Sequence, residues 1–136
     1  MARQLIIMQG ASGSGKSSFV SDRKHLTDIV LSTDDYFVDD DGIYRFDESK
    51  LEHYHMKTLQ ACINAMQDAR RNNARDCTIW LDNTNCNKED IAPYLTFAKF
   101  NKFEVIYIRM AGDFESKAPD DVVNQQRNNL SFFNYD

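Results

Sequence analysis

Nothing in this 136-residue chain approaches the roughly 20 consecutive apolar residues of a membrane span. Its N-terminus also lacks the charged, apolar and small-residue layout of a secretion signal. Both absences predict an unprocessed cytoplasmic protein with no membrane partner. Cysteine is scarce: Cys62, Cys77 and Cys86 are odd in number and show no C-x-x-C spacing, which argues against a disulfide framework and against a zinc site. Positive charge is in short supply as well. Sixteen basic residues against 21 acidic ones leave a net charge of −5, so no global field gathers a polyanion and any such partner must be gripped locally. There is no repeat, low-complexity tract or linker, and the length predicts one domain spanning residues 1–136 with no room for a separate substrate domain.

What is present begins at residue 10. Gly10, Ala11, Ser12, Gly13, Ser14, Gly15, Lys16, Ser17 and Ser18 fit the phosphate-loop pattern G-x-x-x-x-G-K-S/T. Glycines let backbone N–H groups turn inward around phosphate oxygens, and the lysine ammonium adds a mobile point charge. Ser17 is the candidate ligand for Mg²⁺. Residues 5–8, Leu-Ile-Ile-Met, suit a buried strand before the loop, and residues 17–24 suit a helix after it, with Phe19 and Val20 inward. A phosphate would then sit at a helix N-terminus, and the implied ligand is a nucleoside triphosphate.

Further short runs rich in β-branched residues at 29–31, 78–81 and 105–108 read as buried parallel strands. Between the second and third strands, Leu51, Tyr54, His55, Thr58, Leu59, Cys62, Ile63, Met66 and Ala69 recur at three- and four-residue spacing, the mark of one helix with a single buried face. Its end at Arg70-Arg71-Asn72-Asn73 suits the negative pole of a helix. A further helix is predicted over residues 87–101, capped by Asn87, with Pro93 predicting a kink or a later start. A last one is predicted to open at Pro119-Asp120-Asp121. Strands alternating with helices give an α/β fold, a doubly wound parallel sheet of about four strands. The acidic run at residues 39–42 reads as a surface turn.

In such a sheet ligands sit beyond the carboxyl ends of the strands. There the chain places Ser32-Thr33-Asp34-Asp35-Tyr36 after the second strand and Asp82-Asn83-Thr84-Asn85 after the third. Two carboxylates facing a γ-phosphate are what phosphoryl transfer needs: Asp34 to accept a hydroxyl proton and Asp82 to hold the metal shell. Tyr36, Phe37 and Tyr44 either stack on a nucleobase or pack as wall. His53 and His55, two apart, fall on different helix faces and make a poor metal pair; His55, on the apolar stripe, reads as a core or site-wall residue.

Taken together, the phosphate loop, Ser-Thr-Asp-Asp-Tyr-Phe, the Gly-x-Tyr-x-Phe-Asp stretch at residues 42–47 and Asp-Asn-Thr-Asn resemble the polynucleotide 5′-hydroxyl kinase group of P-loop ATPases over most of the chain. The resemblance implies a P-loop kinase fold and Asp34 as general base with Asp35 supporting orientation. It also implies an acceptor and metal element at Asp82, Asn83 and Thr84. The chain departs from the family twice. Phe37 stands where the phage enzyme has an arginine for the acceptor phosphate. The expected lid at residues 111–119 carries no arginine, so Lys117, with Arg109 or Arg127, is left to cover the transferring oxygens. The resulting expectation is an ATP- and Mg²⁺-dependent kinase acting on the 5′-hydroxyl of a polynucleotide or oligonucleotide. A kinase for a nucleotide or phosphorylated metabolite is the alternative, and an ATP-binding regulatory module with a degenerate lid a further one.

Overall fold

The computed structural model describes residues 3–11, 15–85 and 87–110. Four strands form one parallel sheet in the order β2-β3-β1-β4: β1 is Arg3–Gln9, β2 Ile29–Leu31, β3 Cys77–Leu81 and β4 Glu104–Arg109. Three helices join them: α1 over Lys16–Arg23, α2 over Leu51–Arg71 and α3 over Lys88–Phe100. Each run singled out in the sequence is a strand, and the long stripe is one helix, so the doubly wound parallel architecture stands. The helix predicted at residue 119 and the lid at residues 111–119 lie outside the described residues.

Side chains alternate across the sheet with the two-residue period of a strand. Leu5, Ile7, Ile79 and Leu81 are fully buried on one face against Cys62 and Met66 of α2 and Ile91, Tyr94 and Ala98 of α3. Ile6, Met8 and Trp80 project to the other face and meet Val20 of α1. Helices on both faces explain why β1 and β3 read as continuous apolar runs rather than alternating ones. The Trp80 indole N–H donates to Asp28 Oδ2 at 2.9 Å, which satisfies the one polar atom of that ring.

Local signals set the boundaries. Past α2, Asn73 takes a left-handed conformation (φ 52°), the position asparagine tolerates better than most residues, and closes the turn predicted from the Arg-Arg-Asn-Asn sequence. Asn87 is the N-cap of α3 in extended conformation, but its side chain donates to Asp90 Oδ2 and accepts no capping bond from a backbone amide. Pro93 neither delays nor ends α3, which starts at Lys88; the ring removes one donor within a helix held by the burial of Ile91, Tyr94 and Ala98. Residues 38–44 form a small hairpin bridged at Val38 and Tyr44. Its tip is the acidic run, where Asp39 accepts from the amides of Asp41 and Ile43 and from Arg45, and Gly42 takes φ 79°. Among the described residues no helix is long and apolar enough to cross a membrane.

Candidate functional site

The register Ile7↔Leu81 brings the carboxyl ends of β1 and β3 side by side. The chain leaves β1 toward α1 on one face and leaves β3 toward α3 on the other, so the crevice between these two exits is the switch point where open sheets bind ligands. Three interactions weld the exits. The Gly10 amide donates to the Thr84 carbonyl at 3.1 Å. The Asn85 amide group donates to the carbonyls of Met8, Asn83 and Leu81 (2.6, 3.2 and 3.4 Å), and the buried Gln9 side chain donates to the Asn85 carbonyl at 3.2 Å. Asn85 does this from a left-handed backbone (φ 51°). Sequence reasoning noted Asn85 without assigning it a task; its signal was its place directly after a buried strand.

Of the nine phosphate-loop candidates, Gly10, Ala11, Gly15, Lys16, Ser17 and Ser18 are described, whereas Ser12, Gly13 and Ser14 lie outside the described residues. Gly15 precedes α1 with φ 90° and ψ 13°, a left-handed conformation that glycine adopts without steric cost. The first turn of α1 is thus the positive end of the helix, the end at which phosphates are commonly bound. Lys16, only 8% exposed, donates from Nζ to the Ala11 carbonyl at 3.1 Å, which folds the ammonium back over the loop.

Asp82 is the second pole. It follows β3 directly, is 6% exposed, and its Oδ2 accepts the Ser17 hydroxyl at 2.7 Å. Its Oδ1 is buried with no hydrogen-bond partner among the described residues. Burial pushes the Asp82 carboxyl above the usual carboxylate range, with the Ser17 hydroxyl and Lys16 pulling it back and Asp34 and Asp35 adding to the rise. An orphaned carboxylate oxygen next to a serine hydroxyl is a hard, oxygen-only donor set. It fits Mg²⁺, which takes one or two protein oxygens and completes its octahedron with phosphate and water.

Asp34 and Asp35 sit in a 3₁₀ turn over Thr33–Phe37, just past β2. Neither caps it; Ser32 occupies that position. Asp34 is exposed, receives the Tyr44 hydroxyl at 3.4 Å, and lies close enough to Asp82 and to His55 to act electrostatically on both. Burial, then the neighbouring Asp34 charge, raises the Asp35 carboxyl. The turn is anchored to the β3 exit because Thr33 N donates to Asn83 Oδ1 at 2.8 Å. Asn83, expected at the acceptor, thus also has a scaffolding bond.

Tyr36 stacks on Tyr54 with centroids 5.4 Å apart, and Lys57 approaches the Tyr36 ring at 5.1 Å. Phe37 is 4% exposed and packs against Tyr44, Phe46 and Tyr54. It is wall rather than a stacking platform. Arg109 ends β4 on the same edge as the loop and is exposed. Lys117, Arg127 and Cys86 lie outside the described residues.

Between α2 and the start of α3 opens a cleft of about 490 Å³, within the usual range for small-ligand sites. His55, Glu52 and Asp90 contribute polar groups, and Asn83, Thr84 and Asn85 form the end wall. The helical spacing had pointed to His55 as wall. It had missed Glu52 and Asp90, whose places in the first turns of α2 and α3 already satisfy the rule that acids favour helix starts.

Comparison with known proteins agrees with this geometry. The profile of a family described as an AAA domain matches residues 5–113. Human NEDD4-binding protein 2 is 29% identical over 105 residues, which is 76% of this chain but 6% of that protein, so the chain spans only a small part of the length of this relative. Among solved structures, the Pnkp1/Rnl/Hen1 complex superposes with TM-score 0.58 at 17% identity, covering 98% of this chain and 42% of the other. A mutant of the Mycobacterium tuberculosis APS kinase CysC superposes with TM-score 0.53 at 16% identity over 96% and 97%. Both likenesses are of fold: the domain is P-loop kinase-like.

Proposed function

Because the chain belongs to the AAA domain family and has a P-loop kinase-like fold, we propose that it is an ATP- and Mg²⁺-dependent phosphotransferase acting on the 5′-hydroxyl of a polynucleotide or oligonucleotide. The observation that carries the reading is the Ser17–Asp82 pair at 2.7 Å with Asp82 Oδ1 left unpartnered beside Lys16. In this reading Lys16, the loop amides and the α1 N-terminus hold the triphosphate, and Ser17 and Asp82 hold Mg²⁺. The metal supplies neutralisation of charge on the β- and γ-phosphates. Asp34 accepts the proton of the attacking hydroxyl as its oxygen bonds to the γ-phosphorus. The bond to the bridging oxygen breaks, and ADP leaves with the electron pair. Arg109, Lys117 and Arg127 are the cations proposed for the equatorial oxygens, and Asp35, Tyr36, Asn83 and Thr84 for the acceptor. Catalysis of this kind rests on positioning and charge stabilisation rather than covalent chemistry.

A small phosphorylated metabolite as acceptor is the second reading, favoured by the net charge of −5; one of the fold neighbours is an APS kinase. The test is γ-labelled ATP with a panel of 5′-hydroxyl oligonucleotides and hydroxyl-bearing metabolites. Label on the oligonucleotides supports the first reading and label confined to metabolites replaces it. No labelled product with intact ATP binding leaves an ATP-binding module. Activity on polynucleotide ends should also fall steeply with salt, because phosphate contacts release counterions.

A further inference from the structure

The cleft between α2 and α3 has a wall whose hydrogen-bonding polarity can be read from one chain of contacts. Thr58 Oγ1 donates its single proton to the Tyr54 carbonyl at 2.9 Å. The 2.9 Å contact between Thr58 Oγ1 and Thr33 Oγ1 must therefore be donated by Thr33. With its proton committed, Thr33 Oγ1 can only accept from His55 Nδ1, 3.3 Å away. Desolvation of the ring face lowers the His55 pKa, against smaller opposing effects of Asp90 and Asp34, which favours the neutral ring. A neutral imidazole protonated at Nδ1 carries a bare lone pair on Nε2. Together with the carboxylates of Glu52 and Asp90, the α2 and α3 banks of the cleft then offer hydrogen-bond acceptors, flanked by Met56, Leu59 and Tyr94 and facing the amide and hydroxyl groups of the Asn83–Thr84–Asn85 end wall; among the described residues no lysine or arginine lines it. Such a site repels phosphate and suits a flat, uncharged ring with N–H groups on its edge.

We propose that this cleft receives the base of the acceptor's terminal nucleoside and favours amino-bearing bases, guanine foremost, over uracil. The inference deepens the kinase reading and rests on it for the identity of the acceptor. Guanine brings N1–H and an amino group to the carboxylate side, whereas uracil offers one N–H between two carbonyl oxygens that face acceptors unfavourably. The cleft adjoins Asp34 through His55 and Thr33, so a base seated there belongs to the sugar whose 5′-hydroxyl meets the general base.

The experiment measures binding of 3′-labelled 5′-hydroxyl trinucleotides ending in guanine, uracil or an abasic ribose, by fluorescence anisotropy with Mg²⁺ and a non-hydrolysable ATP analogue. Guanine should bind at least tenfold tighter than the abasic end, with uracil between. Met56→Trp, at a residue 64% exposed, should fill the cleft and reduce guanine to the abasic level while leaving affinity for the ATP analogue unchanged. Equal affinity for all three ends, or a Met56→Trp protein that still prefers guanine, overturns the proposal, as does displacement by a cationic amino sugar at lower concentration than by guanosine. The two readings fail separately. Phosphoryl transfer that ignores the base removes the cleft assignment and keeps the kinase. Base-dependent binding without transfer to any end removes the kinase and keeps the cleft.

Discussion

Replacing Asp82 by asparagine should stabilise the ligand-free protein and abolish its response to magnesium nucleotide. The wild-type carboxylate is buried with one oxygen unpartnered, a situation that costs about 1–3 kcal/mol for a polar group and more for a charged one. Asparagine keeps an oxygen for the Ser17 hydroxyl and removes the charge but leaves an amide group in the same unpartnered position, so a gain of about 1 kcal/mol is expected, roughly 4 °C in Tm for a domain of this size. The sign with pH comes from the raised carboxyl. Between the ordinary aspartate value of 3.8 and the higher folded value, the native state binds more protons than the unfolded one, so wild-type stability falls as pH rises through that window and stays lower above it. Asp82→Asn should lose this contribution. Ligand reverses the ranking at neutral pH: Mg²⁺–ATP at 100 times its Kd adds about 2.7 kcal/mol to the wild type, roughly 10 °C, and nothing comparable to the variant. Thermal unfolding at several pH values, with and without Mg²⁺–ATP, reads both effects. A variant less stable than wild type, or one that keeps the full magnesium-dependent shift, refutes the assignment of Asp82 as a strained metal ligand.

Asp34→Asn should reduce turnover by at least 10²-fold while leaving ATP affinity within about twofold, since general-base catalysis contributes about 10²–10⁴; full transfer in that variant removes Asp34 from the base role. Asn85→Ala leaves buried carbonyls without their shared donor and puts alanine at φ 51°, so urea unfolding should show a loss of about 3 kcal/mol. Phe37→Arg, which restores the residue type of the phage enzyme on paper, buries a cation among three aromatic rings. It should cost about 3 kcal/mol or more without improving acceptor affinity, as circular dichroism melts and kinetic titration would report.

The sheet was legible in the sequence because β1 and β3 are buried on both faces and leave unbroken apolar runs, and α2 because Thr58, Cys62, Met66 and Ala69 keep to one face of the helix. That Lys16, Ser17 and Asp82 meet at one crevice was legible because the phosphate-loop pattern and the polar residue after a buried strand both fall at the carboxyl edge of a parallel sheet. Other features depended on tertiary contacts. Phe37 faces inward only because Tyr44 and Phe46 return along the hairpin to meet it. The helix through Pro93 persists because packing outweighs one missing bond. Glu52 and Asp90 each have a local explanation as first-turn acids, so nothing in the chain announces that α2 and α3 bring them to one cleft.

The side chain of Asn85 ties the exit of β1 to the loop after β3, so the proposed grip on the nucleotide and the proposed acceptor wall should shift together. Changes to residues 82–85 should disturb both substrates at once, whereas the α2 bank of the cleft is free to vary. A laboratory selection for new acceptors should therefore accumulate its first substitutions at Glu52 and Met56 and leave the welded bank untouched.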